Sequence, residues 1–192
     1  MGTRRFGTWN GTRRAVVATV VAAVGLGGAL VAGPAFAEAP AAAAAHAEPL
    51  VPGTPCSFSA RSCVDLESQQ AWLIENGNVV RGPVKIASGG NGQETPVGHS
   101  LRVYRKEQNH LSQESRLPNG DPAPMPWSVF FEDGGIAFHA GSPERSSAGC
   151  IHLEPADAEA WFQFLQIGDM VQVVKASEEM AARNPQPPPA PA

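Results

Sequence analysis

The sequence predicts a mainly β domain of about seven strands with one covering helix. Three observations carry that expectation. Short runs alternating apolar and polar residues, bounded by turn residues, recur through Cys56–Ala176. Glycine (20) and proline (18) make up about a fifth of the 192 residues, which argues against a helical bundle. One stretch, Pro155–Leu165, carries the clearest helical periodicity. With 43% hydrophobic and 17% charged residues, the chain has enough apolar material for a core and is not a disordered polymer.

Taken in order, Cys63-Val64-Asp65-Leu66 and Gln70–Glu75 read as strands. Asn76-Gly77 joins the second to the third as a hairpin turn, because both residues tolerate positive φ. Val79–Ala87 alternates again, and Gly82-Pro83 within it marks an edge or a bulge. Leu101–Tyr104, Ser128–Phe131, Ile136–His139 and Met170–Val174 complete the set, with Asp133-Gly134-Gly135 turning the fifth strand into the sixth. In the helix, Pro155 fits the first turn, and Asp157 and Glu159 sit near its positive end. Trp161, Phe164 and Leu165 fall at i, i+3 and i+4, one face to pack on a sheet. Gly168 then ends that element before the last strand.

The ends of the chain read differently. Arg4, Arg5, Arg13 and Arg14 precede or enter the apolar run Ala15–Ala32, and Ala35-Phe36-Ala37 follows as an A-x-A cleavage signal. Residues 1–37 are therefore expected to be a signal peptide. The competing reading is a membrane anchor, at the lower edge of a spanning length; the glycines in the run and Pro34 favour removal and no stable anchor. Residues 38–55 are Ala/Pro-rich and read as a linker, and 177–192 as a Pro-rich tail, leaving one domain at 56–176. A product starting at Glu38 carries 10 basic and 18 acidic side chains, a net charge of −8, a poor match for nucleic acid or anionic lipid.

Export makes the three cysteines informative. In an oxidising compartment an odd number points to one bridge and one free thiol. Cys56 and Cys63 are expected to pair, tying the first strand to its lead-in. Cys150 is left as a buried structural thiol, an intermolecular bridge or a nucleophile.

Its surroundings favour the last. In Ile136–Leu153, an apolar run delivers His139, a polar loop follows, and Cys150 stands between Gly149 and Ile151. Cysteine attacks as the thiolate, which a histidine supplies as base or stabilises as imidazolium. Such pairing implies a thiol titrating below its free value of about 8.5. Gly149 lets a backbone approach closely, and N–H groups in such a turn bind a developing oxyanion.

Three segments resemble the catalytic domain of L,D-transpeptidases (the YkuD family), especially the short actinobacterial type. They are C-V-D-L-E-S-Q-Q-A-W-L-I-E-N-G at Cys63–Gly77, E-T-P-V-G at Glu94–Gly98, and S-A-G-C-I-H-L at Ser147–Leu153, the last similar to the signature [S/T]-H-G-C-[I/V]-x-[L/M]. The resemblance implies a compact β-sandwich or barrel and a cysteine acyltransferase acting on peptidoglycan stem peptides, donor and acceptor, without metal or cofactor. It makes Cys150 the nucleophile and His139 its base or acid, with the Ala140 carbonyl orienting the imidazole. The N–H groups of Gly149 and Cys150 would form the oxyanion hole, and Ser147 would shape the pocket. Attack on the third stem residue releases D-alanine, and a neighbouring amine takes the acyl group in a 3→3 cross-link. Carbapenem-type β-lactams would acylate the same thiol. The alternatives are an L,D-carboxypeptidase, with water as acceptor, and a non-catalytic wall-binding module.

The chain departs from the signature at Ala148, where histidine is usual, and at His152, often Arg or Asn; the loop after His139 is also shorter than in many members. His152 reads equally as a substrate contact or a hydrogen-bonding strand residue. Arg145 either meets a stem carboxylate or is simply exposed. His46, His99 and His110 read as solvated, and Met125-Pro126-Trp127 as a border of the cleft.

Overall fold

The computed structural model describes residues 34–184, which fall within a single unit. Its elements are α1 (Pro34–Ala47), β1 (Ser62–Asp65), β2 (Gln70–Glu75), β3 (Asn78–Lys85), β4 (Gly98–Arg102), β5 (Arg105–Arg116), β6 (Pro122–Glu132), β7 (Ile136–Ala140), β8 (Ile151–Leu153), α2 (Pro155–Phe164), β9 (Met170–Val174) and α3 (Ala176–Arg183). The strands form a five-stranded sheet, β3-β2-β1-β9-β4, and a four-stranded sheet, β5-β6-β7-β8. All pairings are antiparallel except β1 with β9 and β7 with β8. Among the described residues, no helix is long and apolar enough to cross a membrane. The signal peptide expected at 1–37 lies outside the described residues, save that Pro34–Ala37 begin α1.

The core lies where apolar faces of the two sheets and α2 meet. Val64, Leu73, Val129, Phe138, Ile151 and Val173 are all essentially inaccessible there. Trp161 of α2 is fully buried, and its indole N–H donates to Ser62 Oγ at 3.0 Å, so the one polar atom it takes inside is satisfied. Removing a buried aromatic of this size costs about 3–5 kcal/mol. Leu165 is buried beside it, while Phe164 is partly buried and stacks under the Arg61 guanidinium at 4.4 Å.

The other face of the five-stranded sheet is also covered. Cys56 and Cys63 form the expected disulfide and pack with Val51, Trp72 and Ile74. By closure entropy a loop this short adds about 2–3 kcal/mol. Gln172, 1% exposed, accepts the Ser57 N–H at 2.9 Å. Val51 and Thr54, read as linker, are therefore packed.

Four further expectations change. The nine strands exceed the seven foreseen because β5, R-K-E-Q-N-H-L-S-Q-E-S-R, has almost no apolar alternation and β8 is only three residues long. Two helices join α2. Residues 38–47 of the expected linker are helical, since an alanine-rich stretch has high helix propensity once packed. Residues 177–183 of the expected tail belong to α3, whose Glu179 is buried. Gly82-Pro83 behaves as expected: it falls within β3, an edge strand whose pairing with β2 shifts register nearby.

Candidate active site

Parallel pairing of β7 with β8 sets the geometry. Phe138 faces Ile151, His139 faces His152 and Ala140 faces Leu153. Because side chains alternate along a strand, Phe138 and Ile151 point into the core while His139 and His152 share the opposite face. Cys150 precedes Ile151 and takes that same face. The imidazoles of His139 and His152 meet edge to face with centroids 4.9 Å apart. His139 and Cys150 both line a groove of about 940 Å³ between the β5–β6 hairpin and the loop after β7.

The turn that presents the thiol is held from three sides. Gly149 has φ +109°, and a Cβ there would lie 2.6 Å from Ile136 Cδ1, so only glycine fits. Ser147 Oγ accepts the Gly149 N–H at 3.0 Å and donates to the Cys150 carbonyl. Thr95 Oγ1 donates to the Gly149 carbonyl at 2.7 Å and accepts the Gly89 N–H at 2.9 Å. A Cβ on Gly89 would come within 2.7 Å of Gly149 Cα, so the two loops touch through their glycines. Thr95 thus gives the E-T-P-V-G segment a physical role: it ties that segment to the thiol-bearing turn. The sequence showed the motif but not that role, because the bonds run between segments more than fifty residues apart.

His139 Nδ1 donates to the Ala140 carbonyl at 2.9 Å, which fixes the tautomer and leaves Nε2 as the basic nitrogen. The ring is 7% exposed. Burial pulls its pKa down to about 4; the Ala140 bond opposes this, and His152 adds to it. Burial also pushes the Cys150 thiol up, against a backbone hydrogen bond that lowers it, with Glu114 of the hairpin raising it further. The thiol donates to the Gly135 carbonyl at 3.7 Å. These shifts overturn the expectation of a lowered thiol pKa. Desolvation favours the neutral form of each group, thiol and imidazole alike.

The remaining candidates fall as follows. The Gly149 N–H is engaged by Ser147, not turned toward an oxyanion. His152 Nδ1 donates to the carbonyls of Arg145 (3.0 Å) and Ser142 (3.2 Å), so this ring braces the loop while lining the groove. Arg145 and Ala148 are exposed and line the groove; a side chain at 148 faces open space and supports nothing in the turn. Met125 borders the groove, whereas Trp127 packs against Phe162. His110, read as solvated, lies in β5, pairs with Glu107 at 2.7 Å and meets Phe130 edge-on. His99 lies in β4 and is buried, and His46 is half-buried; both contact Glu179.

Comparison with known proteins agrees with this geometry. The family described as the L,D-transpeptidase catalytic domain (YkuD) matches residues 59–173. Among solved structures, an L,D-transpeptidase from Stackebrandtia nassauensis is 29% identical, with a TM-score of 0.52 over 59% of this chain and 54% of its own. A transpeptidase solved as its avibactam carbamoyl enzyme is 26% identical, with a TM-score of 0.51 over 60% of this chain and 49% of its own. A third, solved in complex with imipenem, is 22% identical and shares the fold, with a TM-score of 0.51 over 59% of this chain and 57% of its own. The chain thus spans about half the length of these structures. No curated protein matches.

Proposed function

The chain belongs to the L,D-transpeptidase catalytic-domain (YkuD) family, and from that premise we propose that it is an exported cysteine acyltransferase that forms 3→3 cross-links between peptidoglycan stems. The observation that carries the reading is that Cys150, immediately before β8, and His139 of the parallel strand β7 line one groove, with His139 held in the tautomer that keeps Nε2 basic. Both groups start neutral. As Cys150 attacks the carbonyl of the third stem residue, the S–H proton passes to Nε2, so charge develops only with the new C–S bond. The Cys150 N–H serves the oxyanion; the part of Gly149 and Ser147 is to hold the turn that aims it. Collapse of the tetrahedral adduct breaks the C–N bond, and the imidazolium returns its proton to the departing D-alanine amine. An acceptor amine then attacks the thioester, His139 takes its proton, and the amide forms as the thiol is regenerated. Arg145 and His152 border the donor stem, Arg145 toward a carboxylate.

The same thiol would be acylated by carbapenems, a reading supported by the neighbours solved with imipenem and as an avibactam carbamoyl enzyme. Mass spectrometry after carbapenem treatment tests it. Wild type should gain one adduct and Cys150→Ala none, with its melting temperature nearly unchanged. An unmodified wild-type mass with an alkylatable thiol would mean a wall-binding module without catalysis. Incubation with a tetrapeptide stem, with and without an amine acceptor, should give cross-linked product; a hydrolysed tripeptide alone would make it an L,D-carboxypeptidase.

A further inference from the structure

Away from the groove, three side chains with metal-ligand chemistry converge from three elements: His46 of α1, His99 of β4 and Glu179 of α3. Glu179 Oε2 lies 3.0 Å from His46 Nε2 and 2.8 Å from His99 Nε2, and the three donor atoms all lie within 4.8 Å of one another. Glu179 is 3% and His99 9% exposed. We propose that these residues form a binding site for a zinc-class divalent ion, which fastens the two terminal helices to the catalytic domain.

The donor set is two imidazole nitrogens and one carboxylate oxygen, a combination suited to zinc. Around a tetrahedral ion with bonds of about 2.0–2.1 Å, donors stand about 3.3 Å apart. The Glu179 contacts need to open by only a few tenths of an ångström, within the reach of side-chain rotation. A cavity of about 150 Å³ lined by His46, His99, Val97, Val174 and Lys175 adjoins the donors and leaves room for water as a fourth ligand.

Among the described residues, two cations flank the cluster. Arg183 Nε binds the other carboxylate oxygen of Glu179, Oε1, at 2.7 Å, and its other nitrogens donate to the carbonyls of Ala45, His46 and Glu48. It therefore orients the carboxylate and leaves Oε2 toward the two histidines, as partners behind a metal ligand do. Lys175, the other cation at the cavity, pairs with Glu178 at 2.8 Å. His46 and Glu179 lie outside residues 59–173, so the site is independent of the transpeptidase reading and survives its failure.

The full untagged chain carrying Cys150→Ala, which removes the groove thiol as a competing ligand, is titrated with Zn²⁺ by calorimetry, with Mg²⁺ as control. One Zn²⁺ per chain should bind, and a hundredfold excess over Kd should raise Tm by about 5–10 °C. His46→Gln, a half-buried position on α1, should weaken Zn²⁺ binding at least tenfold. Imidazole resonances in the otherwise unmutated chain give a second arm that needs no ligand variant: Zn²⁺ should shift those of His46 and His99. Equal uptake by His46→Gln, no heat with Zn²⁺, or shifts confined to His139 and His152 would each overturn the site.

Discussion

In the groove that Cys150 also lines, His139 is 7% exposed and its neighbours are a carbonyl and a second imidazole. At the junction of α1, β4 and α3, Glu179 is 3% exposed and its neighbours are a guanidinium and two imidazoles. Both side chains have little solvent exposure, and the outcomes differ. The hydrogen bonds of His139 Nδ1 and of the Cys150 thiol go to backbone carbonyls, and desolvation pulls His139 down to about 4 and pushes the thiol up. At the junction burial pushes the carboxyl up, yet bonds from His99, Arg183 and His46 outweigh it and hold the group below its ordinary range. Depth alone does not decide ionisation; what decides it is whether a counter-charge is built in at the same depth. The proposed reaction starts from neutral partners, whereas at the junction Glu179 is held as a carboxylate, with the Arg183 guanidinium bonded to it.

The largest expected effect tests the neutral half of that contrast. His139→Ala should slow carbapenem acylation by about 10²–10⁴-fold, the usual worth of a positioned base, as read from adduct formation over time. A loss under tenfold would mean the thiol ionises without help.

Next is the acid response. The folded value of about 4 lies below the ordinary 6.5, so the unfolded chain binds a proton that the folded His139 refuses. The stability this represents is complete above about pH 6.5 and is lost as pH falls to about 4. Between pH 7 and 4 wild type should lose roughly 3 kcal/mol more than His139→Ala, measured by urea unfolding at each pH. Parallel curves would place His139 in water.

The smallest effect belongs to the junction. Arg183→Gln removes a charged donor from Glu179 but leaves both imidazoles, and should cost about 2 kcal/mol in the same assay at pH 7. A cost below about 0.5 kcal/mol would show the guanidinium to be a bystander, as exposed pairs are.

How far the sequence carried these features depended on where their causes lie. β2 and β9 were readable to the residue, because each alternates and ends at a turn. Trp161 and Leu165 were readable because helical spacing puts them on one face. The Cys56–Cys63 bridge was readable from an odd cysteine count in a chain expected to be exported. The β5 strand was not readable, since its residues are mostly solvated and its hydrogen bonds come from β6. His46, His99 and Glu179 stayed scattered for the same reason: they lie up to 133 residues apart, and only the fold brings them together. At the groove, type and spacing pointed to Cys150 and His139. Their protonation was misread because desolvation depends on depth, which no motif records.

The β7–β8 pairing separates what is fixed in the groove from what is free to vary. His139 is fixed by a backbone ladder and Cys150 immediately precedes that ladder's second strand, while residues 141–146 bridge the strands across the rim. Under the proposed function, selection or a designer could graft in other lengths and compositions there and retune which stems are accepted, with Ser147 left to hold the thiol-bearing turn.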